Sequence, residues 1–503
     1  MIGRARAIAL SGLAGHVVDV EAHLAASLPG FTIVGLPDAS LQESRDRVRA
    51  AVASSGLDWP NRRITVNLSP ASLPKSGSAT DLAIAVAILA AAGLVESRGT
   101  GAVVYIGELG LDGAVRGVRG VLPAVASAVA AGIPHVVVPS ANAAEAALVQ
   151  GAQVTGVASL GELAQLLGND HALVAPASAV VRQAPSPIME PIADLADVRG
   201  QEHARFALEV AAAGGHHLMM VGAPGAGKTM LASRMVGLLP DLTVEDAIAV
   251  TSVHSLCGTF DPSQGLMRRP PFEAPHHSAS AAAIVGGGAA FARPGAISRS
   301  HAGVLFLDEA PEFPARVLDT LRQPLESGEV VLHRAYGAAR YPARFQLVMA
   351  ANPCPCGNKG VRGKACECSP LQQRRYMARL SGPLMDRIDI HVDVQPVRRG
   401  APEGDSTAQV AERVAGARRA AAARLVDTGW HLNAQVSARW LRSATPSGVL
   451  AVAQNALDNG SMSARGMDRS LRVAWTIADL EGAAAPTVDM MLQALTLRNG
   501  AGQ

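Results

Sequence analysis

The chain has 503 residues, 44 basic against 42 acidic, and 49% of it is hydrophobic. At about 100–200 residues per domain this means two to four domains with ample core, which excludes global disorder, and a net charge of +2 that names no partner. The longest apolar run, residues 82–95, is shorter than the about 20 residues a membrane-spanning helix needs, and the start lacks a signal-peptide layout, so a soluble cytoplasmic protein with no membrane partner is expected.

Within residues 1–180, β-like runs at 16–24, 31–36, 63–68, 103–109 and 135–139 alternate with Ala-rich helical stretches such as 81–92, which reads as one α/β domain. A polar, Pro-containing stretch at 181–191 reads as a linker. Residues 192–400 read as a second α/β unit, and 401–503 as helices with Gly/Pro breaks.

The sharpest motif is Gly222-Ala223-Pro224-Gly225-Ala226-Gly227-Lys228-Thr229, which follows the apolar run 217–221 and fits G-x-x-x-x-G-K-[ST] between a strand and a helix. The glycines let the backbone curl so that N–H groups face the β- and γ-phosphates of ATP. Lys228 adds a point charge between those phosphates, and the Thr229 hydroxyl suits Mg²⁺. A second apolar run, 303–307, ends in Asp308 and Glu309. Asp308 is expected to orient Mg²⁺ or its water, and Glu309 to polarise the attacking water. ATP hydrolysis is the base expectation. The run 345–351 delivers Asn352, placed to bond the γ-phosphate or align the water. Residues 381–389 present Arg387 in a turn, where it can reach a neighbouring subunit's γ-phosphate or pair locally with Asp386 or Asp389.

Gly200-Gln201 and the segments GAPGAGKTMLA, FEAPHHSASAAAIVGGG, RPGAISRSHAGVLFLDEAPEF, AANPCPCG, SGPLMDRIDIHVDV and SARGMDRSLRVAWTIADLEG resemble the ComM/YifB family of magnesium-chelatase-like AAA+ ATPases, from about Ala5 to about Gly482. The resemblance implies an α/β fold class: an N-terminal Lon-protease-type domain, an AAA+ P-loop core and a C-terminal helical lid. It also implies Asn352 as sensor 1, Arg387 as arginine finger, and a homo-oligomer, a hexameric ring. Arg465 and Arg472, seven apart on one helix face, are both sensor-2 candidates; Trp475 stands where many relatives carry Arg, so the choice stays open.

Residues 73–81 and 107–116 resemble Lon-type peptidase segments. Laid on that pattern, the nucleophile position falls on Ala79 and the general-base Lys near Leu122, so no peptidase is expected. Ser76, Ser78 and Lys75 do not restore the pair.

Cys354, Cys356, Cys366 and Cys368 form a C-x-C, nine residues, C-x-C pattern. Four thiolates on a short loop can close a tetrahedral Zn²⁺ site, with Lys359, Arg362 and Lys364 helping to keep them deprotonated; a reduced, redox-labile loop is the alternative. Cys257 reads as a core residue. Residues 330–345 read as a β-hairpin carrying Arg334, Arg340 and Arg344, inside a stretch, 330–400, with 12 Lys/Arg against 4 Asp/Glu. That charge suits a DNA backbone, single-stranded or branched, or else a solvated surface. Arg is discounted as a signal, because only four Lys accompany 40 Arg, and 3% aromatics oppose repeated base stacking. The segment 272–288 reads as a second insertion, with His276 and His277 pointing apart. Three functions compete: an ATP-driven DNA ring motor for branch migration, a chelatase-type ATPase driving metal insertion into a tetrapyrrole, and a nucleotide-switched scaffold.

Overall fold

The computed structural model describes residues 2–35, 39–71, 77–174, 193–288, 293–334, 337–359, 364–397 and 400–499. The linker at 181–191, with Lys75, Ser76, Arg362 and the Arg334 side chain, lies outside the described residues.

Strands Ile2–Ser11 and Ala14–Ala25 form an antiparallel hairpin in register from Ile2↔His23 to Ser11↔Ala14. They sit inside a seven-stranded sheet ordered Gly30–Val34, Arg63–Ser69, Ala14–Ala25, Ile2–Ser11, Val104–Tyr105, His135–Pro139, Gln153–Val157. Strand Arg63–Ser69 alternates buried and half-exposed residues, so one face of the sheet needs a cover. Helix Asp81–Ala92, apolar all round, supplies it and is buried from Asp81 to Ala91. Asp81 is fully buried but held by Arg47 Nε at 2.7 Å.

The second sheet is all parallel: Phe272–Glu273, Val304–Leu307, Gln346–Ala351, Leu218–Gly222, Ile390–Val394. Strand Gln346–Ala351 is buried throughout, as expected when helices cover both faces. Phe272–Glu273 belongs to this sheet, so the segment read as an insertion begins as a strand; the short helix Ala281–Val285 and the pair Gly286–Gly287/Arg293–Pro294 stand outside it.

Five longer helices close the chain: Thr407–Arg424, Ala438–Ala444, Ser447–Asp458, Ala464–Leu480 and Val488–Asn499. Ser406 with Gln409 forms a capping box at the first, and the Ser463 side chain caps the fourth. Met467, Leu471, Ala474 and Ala478 recur at helical spacing and join the same apolar cluster as Leu218, Val392 and Leu208, so lid and core share one interior. A polar joint crosses that interior. Asp389 accepts from Arg469 Nη1 at 2.6 Å and from the His217 backbone at 2.9 Å, and His216 Nε2 meets Thr476 Oγ1 at 2.8 Å. Burial would raise the Asp389 carboxyl, but Arg469 and the neighbouring histidines overcome it and hold the pKa well below the usual range.

Burial lowers His217, His301 and His391 to about 4 each. Free imidazoles titrate near 6.5, so the unfolded chain takes up these protons first and stability is lost as pH falls from about 6.5 towards 4. The expected slope is about 1.4 kcal/mol per pH unit for each histidine. Urea unfolding at stepped pH checks this; constant stability from pH 7 to pH 4.5 would contradict it.

Candidate nucleotide site and cysteine cluster

In a parallel sheet all strands end at one edge, and ligands bind beyond their carboxyl ends. The register pairs Val221 with Ala351 and Leu307 with Met349, so the loop after Gly222, the Asp308-Glu309 pair and Asn352 leave the sheet together. Gly227 caps helix Lys228–Leu238 at φ 95°, a backbone region that side chains with a Cβ disfavour. Gly222 to Thr229 thus form the expected strand, loop and helix start, with Ala226 buried and Gly225 at φ 77°.

Lys228 is buried, and its Nζ donates to Gly222 O at 2.7 Å, Ala223 O at 3.1 Å and Asn352 Oδ1 at 3.1 Å. Desolvation lowers its pKa, opposed by Asp308 and Glu309. A triphosphate entering the loop would compete for this ammonium, and Asn352 would then share the γ-phosphate with it. Thr229 Oγ1 donates to Asp308 Oδ2 at 2.6 Å, which sets hydroxyl and carboxylate as adjacent oxygen ligands suited to Mg²⁺. Glu309 adopts φ 51°, unusual for a residue with a side chain, at the point where the chain leaves the sheet.

Several partners of this site escaped the sequence reading. His277 Nδ1 lies 3.2 Å from Glu309 Oε2. The His276 and His277 rings lie 4.1 Å apart between centroids, tilted by 34°, rather than diverging. Gln201 Nε2 donates to Ala226 O at 2.6 Å and Gln395 O at 3.1 Å, bracing the phosphate loop against the chain after the last strand. Gly200-Gln201 was visible in the sequence, but without a role.

Arg387 does pair locally, though with neither expected aspartate. Its guanidinium bonds Glu326 Oε1 and Pro383 O, and its side chain is only 10% exposed, whereas Glu326 is 64% exposed. Asp389 is taken by Arg469. Arg472 is held by the lid itself through Nε to Val436 O at 2.8 Å, while Arg465 is exposed and makes no hydrogen bond or ion pair among the described residues. Of the two sensor-2 candidates, Arg465 is thus the one at liberty to move. Trp475 is buried, its Nε1 donating to Thr445 Oγ1 at 3.0 Å under the Arg424 guanidinium, 4.5 Å from the ring centroid.

The four cysteine sulfurs lie within 4.8 Å of one another. Cys354–Cys356 is 3.5 Å, Cys356–Cys366 3.7 Å and Cys366–Cys354 3.7 Å. Disulfide sulfurs would lie about 2.05 Å apart, whereas four thiolates about 2.3 Å from one tetrahedral ion stand about 3.8 Å apart. The donor set therefore fits a tetrahedral ion. Cys356 drops to about 6, chiefly because the Asn358 backbone N–H donates to it rather than through the flanking lysines. Cys257 is half-buried at a helix end, not in the core.

The hairpin of strands Glu329–Arg334 and Gly337–Pro342 is a separate two-stranded sheet. Arg340 and Arg344 are exposed, yet each meets a carboxylate: Glu329 at 2.7 Å and Asp246 at 2.9 Å. The hairpin also touches the first sheet, where Gly12 bridges Arg340 and Ser11 Oγ donates to Ala338 O. In that first domain Ala79 is half-buried and Leu122 fully buried; the Leu122 N–H donates to Glu145 Oε1, which also accepts from Ser255 Oγ on helix Val244–Cys257.

Family models agree with this geometry. Residues 194–401 match the model "Magnesium chelatase, subunit ChlI", 20–142 match "Subunit ChlI of Mg-chelatase" and 404–498 match "Magnesium chelatase, subunit ChlI C-terminal". Competence protein ComM of Haemophilus influenzae is 41% identical over 94% of this chain and 92% of its own length. The chain belongs to the ComM/YifB family of magnesium-chelatase-like AAA+ ATPases. YifB of Escherichia coli is 40% identical over 97% of this chain and 95% of its own, and an uncharacterised Mycobacterium tuberculosis protein is 51% identical over 99% and 98%. A Lon protease of Mycolicibacterium smegmatis matches 28% of the chain at 32% identity, in keeping with the Lon-like fold. Among the described residues no helix of this ComM/YifB protein is long and apolar enough to cross a membrane.

Proposed function

We propose that this ComM/YifB-family ATPase is a cytoplasmic motor acting on single-stranded or branched DNA, assembled as a homo-oligomeric, hexameric ring, and that branch migration in recombination or natural transformation is its task. Lys228 and the loop 222–229 bind the phosphates of ATP. Thr229 and Asp308 would hold Mg²⁺, whose charge neutralises the phosphates. Glu309 takes the proton of the attacking water, Asn352 aligns that water, and Arg387 from an adjoining subunit meets the charge that develops on the γ-phosphate. Arg465 is assigned the sensor-2 role, reporting the bound nucleotide to the lid. The cysteine cluster would hold structural Zn²⁺, which fixes the loop after Asn352.

The observation that carries the DNA reading is the hairpin Glu329–Arg334/Gly337–Pro342, inserted between the strands that deliver Asp308 and Asn352, bearing exposed Arg340 and followed by exposed Arg344. A relative named for competence accords with it. The deciding experiment is ATP-dependent branch migration on a synthetic four-way junction, with the Glu309→Gln protein as control. No migration, and no ATPase stimulation by branched or single-stranded DNA, would sink the reading.

Because phosphate contacts release counterions, Arg340→Ala should weaken DNA binding equally across sequences and reduce the salt slope by about one. Titrations at stepped salt read this directly; an unchanged slope would place Arg340 off the DNA path. The second reading, a chelatase-type motor, is favoured by family models named for a magnesium chelatase subunit. It requires stimulation by a porphyrin and a partner subunit instead of DNA.

A further inference from the structure

Three features tie the cysteine cluster to the phosphate loop. Cys354 is buried and stands two residues after Asn352, whose Oδ1 receives the Lys228 ammonium at 3.1 Å. Gly357, at φ 73°, is buried against the loop, and a Cβ built there would lie 2.5 Å from Pro224 Cγ and 2.8 Å from Pro224 Cδ. That contact is stiff, because a proline ring has no rotamer by which to withdraw. The third tie runs through helix Pro370–Met377. Gln373 Nε2 donates to Cys368 O at 3.0 Å, and three residues on along the same helix, the buried Tyr376 lies close to the Asn352 backbone.

A chelated cation that draws the four sulfurs together therefore fixes the positions of Gly357, Gln373 and Cys354 at once. Through them it fixes one wall of the phosphate loop and both sides of Asn352. We propose that metal occupancy of the four-cysteine loop and ATP occupancy of the P-loop are thermodynamically coupled, each tightening the other, through the contact of Gly357 with Pro224 and the chain from Cys354 to Asn352. This rests on the cysteine cluster being a metal site. Linkage makes the coupling reciprocal: the factor by which Zn²⁺ tightens nucleotide is the factor by which nucleotide tightens Zn²⁺.

The test uses the full chain and Zn²⁺ in competition with a chromophoric chelator, with and without saturating Mg²⁺ and a non-hydrolysable ATP analogue. The protein's Kd for zinc, read from that competition, should fall about tenfold when the analogue is bound, within the about 5–150-fold range usual for coupled sites. The analogue's own Kd should improve by the same factor on zinc loading. Equal zinc affinities with and without analogue would overturn the coupling. Failure to retain any zinc would instead overturn the metal-site reading beneath it. Gly357→Ala keeps all four thiols while pushing the loop off Pro224, so it should still bind one zinc per chain yet lose most of the linkage. An undiminished linkage in that variant would remove the Gly357–Pro224 contact as the route, and the wild-type measurement stands even if the variant fails to fold.

Discussion

Glu309→Gln is expected to bind ATP as the parent does and to hydrolyse it at least about 100-fold more slowly, the usual loss for a general base. The amide keeps the shape and cannot accept the water's proton. Lys228, Thr229 and Asp308, the residues proposed to hold nucleotide and Mg²⁺, remain in place. Nucleotide binding by fluorescence and phosphate release in single turnover separate the two effects. Hydrolysis at the parental rate would remove Glu309 as the base. The contact of His277 with Glu309 sharpens the expectation, because the carboxylate has to leave that partner to face a water. His277→Ala should therefore alter the rate without altering ATP affinity.

Arg387→Ala should lower ATPase by about 10³-fold, the scale of an arginine finger, in assemblies that still form. Mixing it with Lys228→Ala subunits should restore part of the activity, because each intact phosphate loop can then face an intact finger. The pairing of the buried Arg387 with Glu326 makes this the more exacting of the two tests. A finger working between subunits has to exchange Glu326, which is more than half exposed, for a neighbour's phosphate. If mixed assemblies recover nothing, Arg387 is a structural partner of Glu326 and the group that meets the γ-phosphate lies elsewhere.

The candidate nucleotide site was legible because such chemistry demands contiguous residues. Gly222 to Thr229 must be one loop, and Asp308 and Glu309 must end one strand. The cysteine loop was legible for the same reason. Arg387 with Glu326, His277 with Glu309, and Asp389 with Arg469 were not, since each joins residues 32 to 80 positions apart through the packed fold. Strand Ile2–Ser11 was missed because its buried positions are Gly3, Ala5, Ala7, Ile8 and Ala9, and glycine and alanine give almost no β signal beside Arg4 and Arg6. The hairpin charge was legible in sign but not in effect, because Glu329 and Asp246 sit against Arg340 and Arg344.

Glu145 ties the Lon-like domain to its neighbour. Leu122, near the place where the resemblance puts a Lon-type amine, offers its backbone N–H to Glu145, and the same carboxylate accepts from Ser255 on helix Val244–Cys257. Glu145 thus acts as a socket for that helix. Ala79→Ser with Leu122→Lys would bury an ammonium where Leu122 is fully enclosed, and would loosen that socket before it activated any hydroxyl.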